Sequence, residues 1–134
     1  MVRCKKEAEA HKTQRRQRIA LEAAKQCGRG RVPEVLPTVT FAEMMTEASR
    51  ADRVLFCYEG EGTRPIGQLL READFPQTGT LALIVGSEGG FSVKEAESAA
   101  AAGFTMTGLG HRILRTETAP VFALAAISCV LELS

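Results

Sequence analysis

The chain has 134 residues, 45% hydrophobic and 25% charged, enough for one ordinary domain with a real core. No apolar run reaches the ~20 residues of a membrane span, and the basic, polar first residues lack the apolar stretch of a secretory signal. The formal charge of +1 hides an asymmetry, because residues 1–31 hold ten Lys/Arg against Glu7, Glu9 and Glu22, while the remainder holds seven basic and thirteen acidic residues. Such a basic segment is either a solvated helix face or a contact for a polyanion such as RNA.

Residues 7–27 read as a helix with Ile19, Ala23 and Cys27 on one stripe and Gly28 as its C-terminal stop. A turn-rich stretch, 28–37, follows, with Val32 and Val35 as short strand contacts. Thr40-Phe41-Ala42-Glu43 is a capping-box pattern that opens a helix to about Ser49. Val54–Tyr58 is an apolar strand, Glu59–Thr63 a glycine-bearing loop, and Pro65 suits the first turn of a helix to about Ala73. Thr80–Val85 is a second strand. After the loop Gly86–Phe91, Ser92-Val93-Lys94-Glu95 is another capping box, opening a helix to Ala102 that Gly103 ends. Phe104–Leu109 is a third strand, and the last helix spans roughly Thr118–Leu133, with Thr118 as cap and Pro120 in its first turn. Alternating strands and helices predict an α/β fold, a parallel sheet flanked by helices, in a single domain over 1–134.

The cysteines Cys4, Cys27, Cys57 and Cys129 form no CxxC, and His11 and His111 lie far apart, which argues against a metal site and a disulfide framework. A reduced, cytoplasmic setting is the corresponding expectation. The chemistry concentrates in two glycine-centred segments. In Gly86-Ser87-Glu88-Gly89-Gly90-Phe91, three glycines allow close approach of a ligand to the main chain. Its spacing matches neither GxGxxG nor a phosphate-binding GK[ST] loop, and Glu88 disfavours a phosphate while suiting a cationic or amino group. In His111-Arg112-Ile113-Leu114-Arg115-Thr116-Glu117-Thr118, the apolar pair can pack on a flat ring. The arginines either grip a phosphate, stabilise a developing anion, or simply pair with Glu117 to pin the loop; His111 reads as an exposed loop residue. Two such loops can lie side by side at the carboxyl ends of a parallel sheet.

The segments 84–91 (IVGSEGGF) and 108–119 (GLGHRILRTETA), in this order and spacing, resemble the RsmE-like ribosomal RNA (uracil-N3)-methyltransferases of the SPOUT superfamily. RIALEAAKQCGRGRVPE, 18–34, is similar to the same family. The resemblance implies a SPOUT-type α/β fold whose C-terminal strands and helix tie a trefoil knot, a rare topology. It implies S-adenosylmethionine as cofactor, held by Tyr58 and Glu59, by Gly86, Glu88, Gly89 and Gly90, and by Leu109, Gly110, Arg112, Ile113 and Leu114. It implies methyl transfer to N3 of a uridine in small-subunit ribosomal RNA, with Arg112 or Arg115 stabilising the uracil anion and Glu117 orienting an arginine; the base is left open. A non-catalytic RNA-binding or ribosome-assembly module is the rival reading.

The family usually has proline where Ser87 stands, so the turn is expected to be slightly looser here. Family members also carry an N-terminal RNA-binding β-barrel domain and an opening strand-helix portion, both expected to be missing from this chain. The family works as a homodimer. The last helix carries Val121, Phe122, Leu124, Ala125, Ile127 and Val130 over more than one face, so it is expected to be buried on two sides.

Overall fold

The computed structural model describes residues 6–60, 62–72, 74–76, 78–87, 89–110 and 114–133. The chain divides into two compact units, Met1–Glu43 and Met44–Ser134.

The first unit is built on helix α1, Lys6–Gln26. Its end is set by Gly28 at φ 72°, whose N–H reaches the carbonyl of Lys25 while the Arg29 N–H reaches that of Ala24 at 2.8 Å. This paired closure needs a left-handed residue, which glycine adopts without steric penalty. The expected stripe shifts by one position: Ala24 is buried, whereas Ile19 is 57% exposed and Cys27 is exposed. Residues 32–40 form no strand; they are held by side chains instead. Gln17 donates to the Pro33 carbonyl at 2.9 Å and accepts from the Val35 N–H at 2.6 Å, and the Thr38 hydroxyl donates to the Glu9 carboxylate at 2.6 Å. Helix α2, Phe41–Ala48, begins where the sequence places it, with the Thr40 hydroxyl accepting from the Glu43 N–H at 3.2 Å.

The second unit is a four-stranded parallel sheet in the order β2-β4-β1-β3, from β1 (Arg53–Cys57), β2 (Arg64–Pro65), β3 (Leu81–Ile84) and β4 (Thr105–Gly108). Helices α3 (Ile66–Leu70), α4 (Val93–Ala101) and α5 (Thr118–Leu131) complete it. Central β1 buries Val54, Leu55 and Phe56 in succession, as a strand covered on both faces requires. Leu55 joins a core of Ile66, Leu69, Leu70, Phe75 and Ala123, with Leu81, Leu83, Ile127 and Val130 packed against it. Phe56 points the other way, and its ring lies 4.3 Å from that of Phe91.

Both predicted helix starts and stops around α4 are present: Ser92 and Glu95 form the reciprocal capping box, and Gly103 at φ 86° closes the end. Three features differ from the sequence reading. Pro65 sits at the N-cap of a shorter α3, and Arg64–Pro65 adds a fourth strand on the sheet edge, where a missing N–H costs no ladder bond. Thr118 is the first residue of α5, capped by the backbone position of Glu117 without a side-chain bond. The same helix is covered by this chain on one side alone. Ala119 and Ala123 are buried, whereas Val121, Phe122 and Leu124 are 68%, 45% and 58% exposed. The knot implied by the resemblance involves the β4–α5 connection, whose positions 111–113 lie outside the described residues.

Candidate active site at the carboxyl ends of the sheet

The chain order and the strand order of the sheet differ, and that difference makes the site. From β1 the chain runs first to the edge strand β2, then through α3 across to β3 on the other side of β1, and from β3 it crosses back over β1 to β4, which lies between β1 and β2. The loops after β1, β3 and β4 therefore leave the same end of the sheet and diverge. A crevice at such a switch point is where α/β proteins bind ligands. Here the crevice is a cavity of about 620 Å³, lined from all three loops, a size typical of small-molecule sites.

Each loop is shaped by local bonds. Just past the end of β1, the Tyr58 N–H donates to the Thr107 carbonyl within β4 at 3.1 Å. Thr107 is fully buried, and its hydroxyl donates to the Arg64 carbonyl at 3.0 Å, so one residue fixes both the end of β1 and the edge strand. The Thr63 hydroxyl donates to the Gly60 carbonyl at 3.3 Å, closing the loop between them. In the second loop the Gly90 N–H donates to the Ser87 carbonyl at 2.8 Å, with Gly90 at φ 68°. A Cβ on Gly86 would approach the Phe91 ring at 3.1 Å, so glycine there lets Phe91 fold back over Phe56. In the third loop Gly110 takes φ 104°, and the turn into α5 is closed by the Arg115 carbonyl, which accepts from the N–H groups of Thr118 and Ala119 at 2.9 Å each.

Tyr58, Glu59, Gly86, Gly89, Gly90, Leu109, Gly110 and Leu114 all line the cavity, which unites the two glycine-centred segments in one wall. Glu88, Arg112 and Ile113 lie outside the described residues. Arg115 and Glu117 are exposed and do not line it, while Thr116 between them does. Sequence reasoning missed Cys57, Thr63, Phe91, Thr107 and Thr116 on the lining. The polar residues of the loop Glu59–Thr63 offered a signal for Thr63. Nothing local marked Thr107, whose partner is 43 residues away.

The electrostatics of the lining are one-sided. Among its described residues the one side chain charged at neutral pH is Glu59, and no Lys, Arg or His is present. Among the described lining residues a cationic centre would find a counter-charge in Glu59. Burial pushes the Cys57 thiol up to about 11, so at neutral pH it is a neutral wall group and not a nucleophile. Among the described residues no cluster of His, Cys, Asp or Glu could hold a metal ion.

The profile of the RNA methyltransferase domain family matches residues 1–128. This chain belongs to that family. It is 36% identical over 123 residues to ribosomal RNA small subunit methyltransferase E of Synechocystis sp., a match that takes in 91% of the chain and 40% of the relative. It is 35% identical over 126 residues to the protein of the same name in Bacillus subtilis, covering 91% of the chain and 48% of that relative. The chain thus spans less than half the length of these curated relatives. Among solved structures, the Neisseria gonorrhoeae ribosomal RNA small subunit methyltransferase E bound to S-adenosyl methionine superposes with a TM-score of 0.76 at 32% identity, over 97% of this chain and 52% of that one. The family and the parallel sheet flanked by helices agree with what the two motifs imply.

Proposed function

We propose that this chain is the cofactor-binding part of an S-adenosylmethionine-dependent methyltransferase that modifies N3 of a uridine in small-subunit ribosomal RNA. The observation that carries the reading is the convergence of both glycine-centred loops on one cavity without basic residues among its described lining. The cofactor fits that cavity on physical grounds. Leu109 and Leu114 supply apolar surface for an adenine, the main chain of 109–110 can bond its edge, and Glu59 at the rim suits an amino or sulfonium charge. Gly89 and Gly90 leave open space where a Cβ would stand, so the ligand can approach the backbone there.

When bound, the cofactor supplies a methyl group on a positively charged sulfur. The residues of the chain have two further tasks. The cavity walls align donor and acceptor and exclude water, the main source of rate in such a transfer. The uracil nitrogen is a poor nucleophile until its proton leaves, and Arg112 or Arg115 stabilises the resulting anion, with Glu117 orienting an arginine. Methyl transfer from radiolabelled cofactor to small ribosomal subunits lacking the modification tests the reading. Incorporation at a uridine N3 that Arg115→Ala abolishes supports it. RNA binding without cofactor binding supports instead a non-catalytic RNA-binding or assembly module, a rival favoured by the exposure of Arg115 and Glu117 away from the cavity lining.

The working form in this proposal is a homodimer. Val121, Phe122 and Leu124 make an apolar strip on the uncovered side of α5, which a second copy would bury. Sedimentation at several concentrations reads this directly, and a purely monomeric profile would refute it.

A further inference from the structure

Helix α1 has two faces of different chemistry. Thr13, Gln17, Ala20 and Ala24 recur at i, i+4, i+7 and i+11, and these positions are partly or fully covered. The opposite side carries Arg15, Arg18 and Lys25, all exposed and within about 80° of one another around the helix, with Glu22 between them, while exposed Lys12 and Arg16 lie on a flank nearer the covered stripe. Between positions 10 and 26 the only acid is Glu22. Among the described residues Arg15, Arg16, Arg18 and Lys25 make no ion pair, so their charge is not cancelled within the chain. The closure at Gly28 then places the exposed Arg29 and Arg31 directly past the helix end.

We propose that this outer face of α1 docks the phosphate backbone of an RNA strand, through Arg15, Arg18 and Lys25. The choice of RNA as the polyanion rests on the function proposed above; the surface itself rests on the charge segregation. Guanidinium groups grip phosphate oxygens in pairs. A rigid helix holds Arg15 and Lys25 on the order of 15 Å apart along its axis, which presents several charges to one strand. An anionic membrane would also attract the charge, but a helix lying in a bilayer surface needs a broad apolar face of large residues. The face opposite these cations is Thr, Gln and Ala. Contacts of this kind position the nucleic acid without reading its sequence.

The test is fluorescence anisotropy of a labelled RNA hairpin titrated with the chain at several salt concentrations. Arg15→Glu, Arg18→Glu and Lys25→Glu are combined in one variant, and Lys94→Glu on exposed α4 serves as a charge control. The combined variant is expected to weaken binding more than tenfold and to flatten the salt slope by about two to three. Lys94→Glu is expected to change affinity less than about twofold, since its charge lies outside the proposed contact. A parallel variant with glutamine at the same three positions should lose less, and it replaces the glutamate variant if that one fails to fold. Unchanged RNA binding in the folded triple variant, equal loss in Lys94→Glu, or no RNA binding by the parent chain would each overturn the proposal. Calorimetry with S-adenosylmethionine is run on the same samples. A parent that binds the hairpin through these residues yet takes no cofactor supports the surface and refutes the cofactor reading.

Discussion

The two units reach order by different means. In the C-terminal unit a strand of three successive buried residues, Val54, Leu55 and Phe56, sits at the centre of a sheet, and the apolar core gathers around it. In the N-terminal unit Ala24 is the one buried residue among those described, and the connections are polar: Gln17 to the backbone of 33 and 35, Thr38 to Glu9, Thr40 to Glu43. Apolar burial is cooperative and scales with area removed from water. Exposed hydrogen bonds contribute far less each, because water competes for the same groups. The contrast places a fixed cavity on the first kind of scaffold and a charged, solvated helix on the second.

The contrast can be broken most directly at Phe56. Its ring is fully buried and stacks with Phe91, which lines the cavity. Phe56→Ala should cost about 3–5 kcal/mol of stability, measured by urea unfolding. Because it also removes the support of the second loop, cofactor affinity should fall in whatever fraction stays folded. If stability drops by less than about 1 kcal/mol, the core does not rest on β1 as described.

Much of this scaffold is legible in the sequence, for identifiable reasons. Strands β1 and β3 are apolar runs ending in polar or glycine-bearing loops, and each is deep in the sheet or at its side. The stops at Gly28 and Gly103 are visible because both take a left-handed angle that few other residues adopt. The edge strand Arg64–Pro65 is not visible, since two residues with a proline carry no strand signal; it exists because Thr107 and Gly108 lie beside it. The exposure of Val121, Phe122 and Leu124 is likewise hidden, because hydropathy registers apolar character and not which neighbour covers it. At the site, glycine spacing brings the second and third loops into view. The phenylalanine and threonines that complete the wall are placed by tertiary geometry, as the bond from Thr107 to a carbonyl 43 residues distant shows.

The second break separates cavity from core. A Cβ on Gly89 would meet nothing within 4 Å, and its φ is not in the left-handed range, so Gly89→Val should fold with close to parental stability. Its side chain would occupy space that the proposed ligand needs. Calorimetry should show S-adenosylmethionine affinity reduced more than tenfold, about 1.4 kcal/mol. Parental affinity in a folded variant would remove Gly89 from the binding surface.

A smaller effect sharpens the other side of the comparison. Gln17→Ala removes both side-chain bonds that hold 33–35. The expected cost is about 1 kcal/mol or less per bond, confined to the N-terminal unit. Hydrogen exchange should therefore quicken at the Val35 amide, while amides of β1 keep parental protection. Uniform acceleration through both units would mean that the two do not differ in the way described.

The smallest expected effect is electrostatic and lies on the cavity wall. Burial raises Cys57 from an ordinary 9.0 to about 11. The folded state thus holds the thiol proton more tightly than the unfolded state does. By linkage, this contribution is fully present below about pH 9 and is lost as pH rises toward 11, because between those values the unfolded chain has released a proton that the folded chain retains. Stability of the parent should consequently fall slightly more steeply over that window than stability of Cys57→Ala, a variant that cannot ionise there. The same cause predicts an order of alkylation at pH 8: exposed Cys27 and Cys129 react with iodoacetamide before Cys57, read by peptide mass spectrometry. If Cys57 reacts as fast as the other two, the β1 end of the cavity is open to water, and the wall that Thr107 and Tyr58 tie together does not shield it.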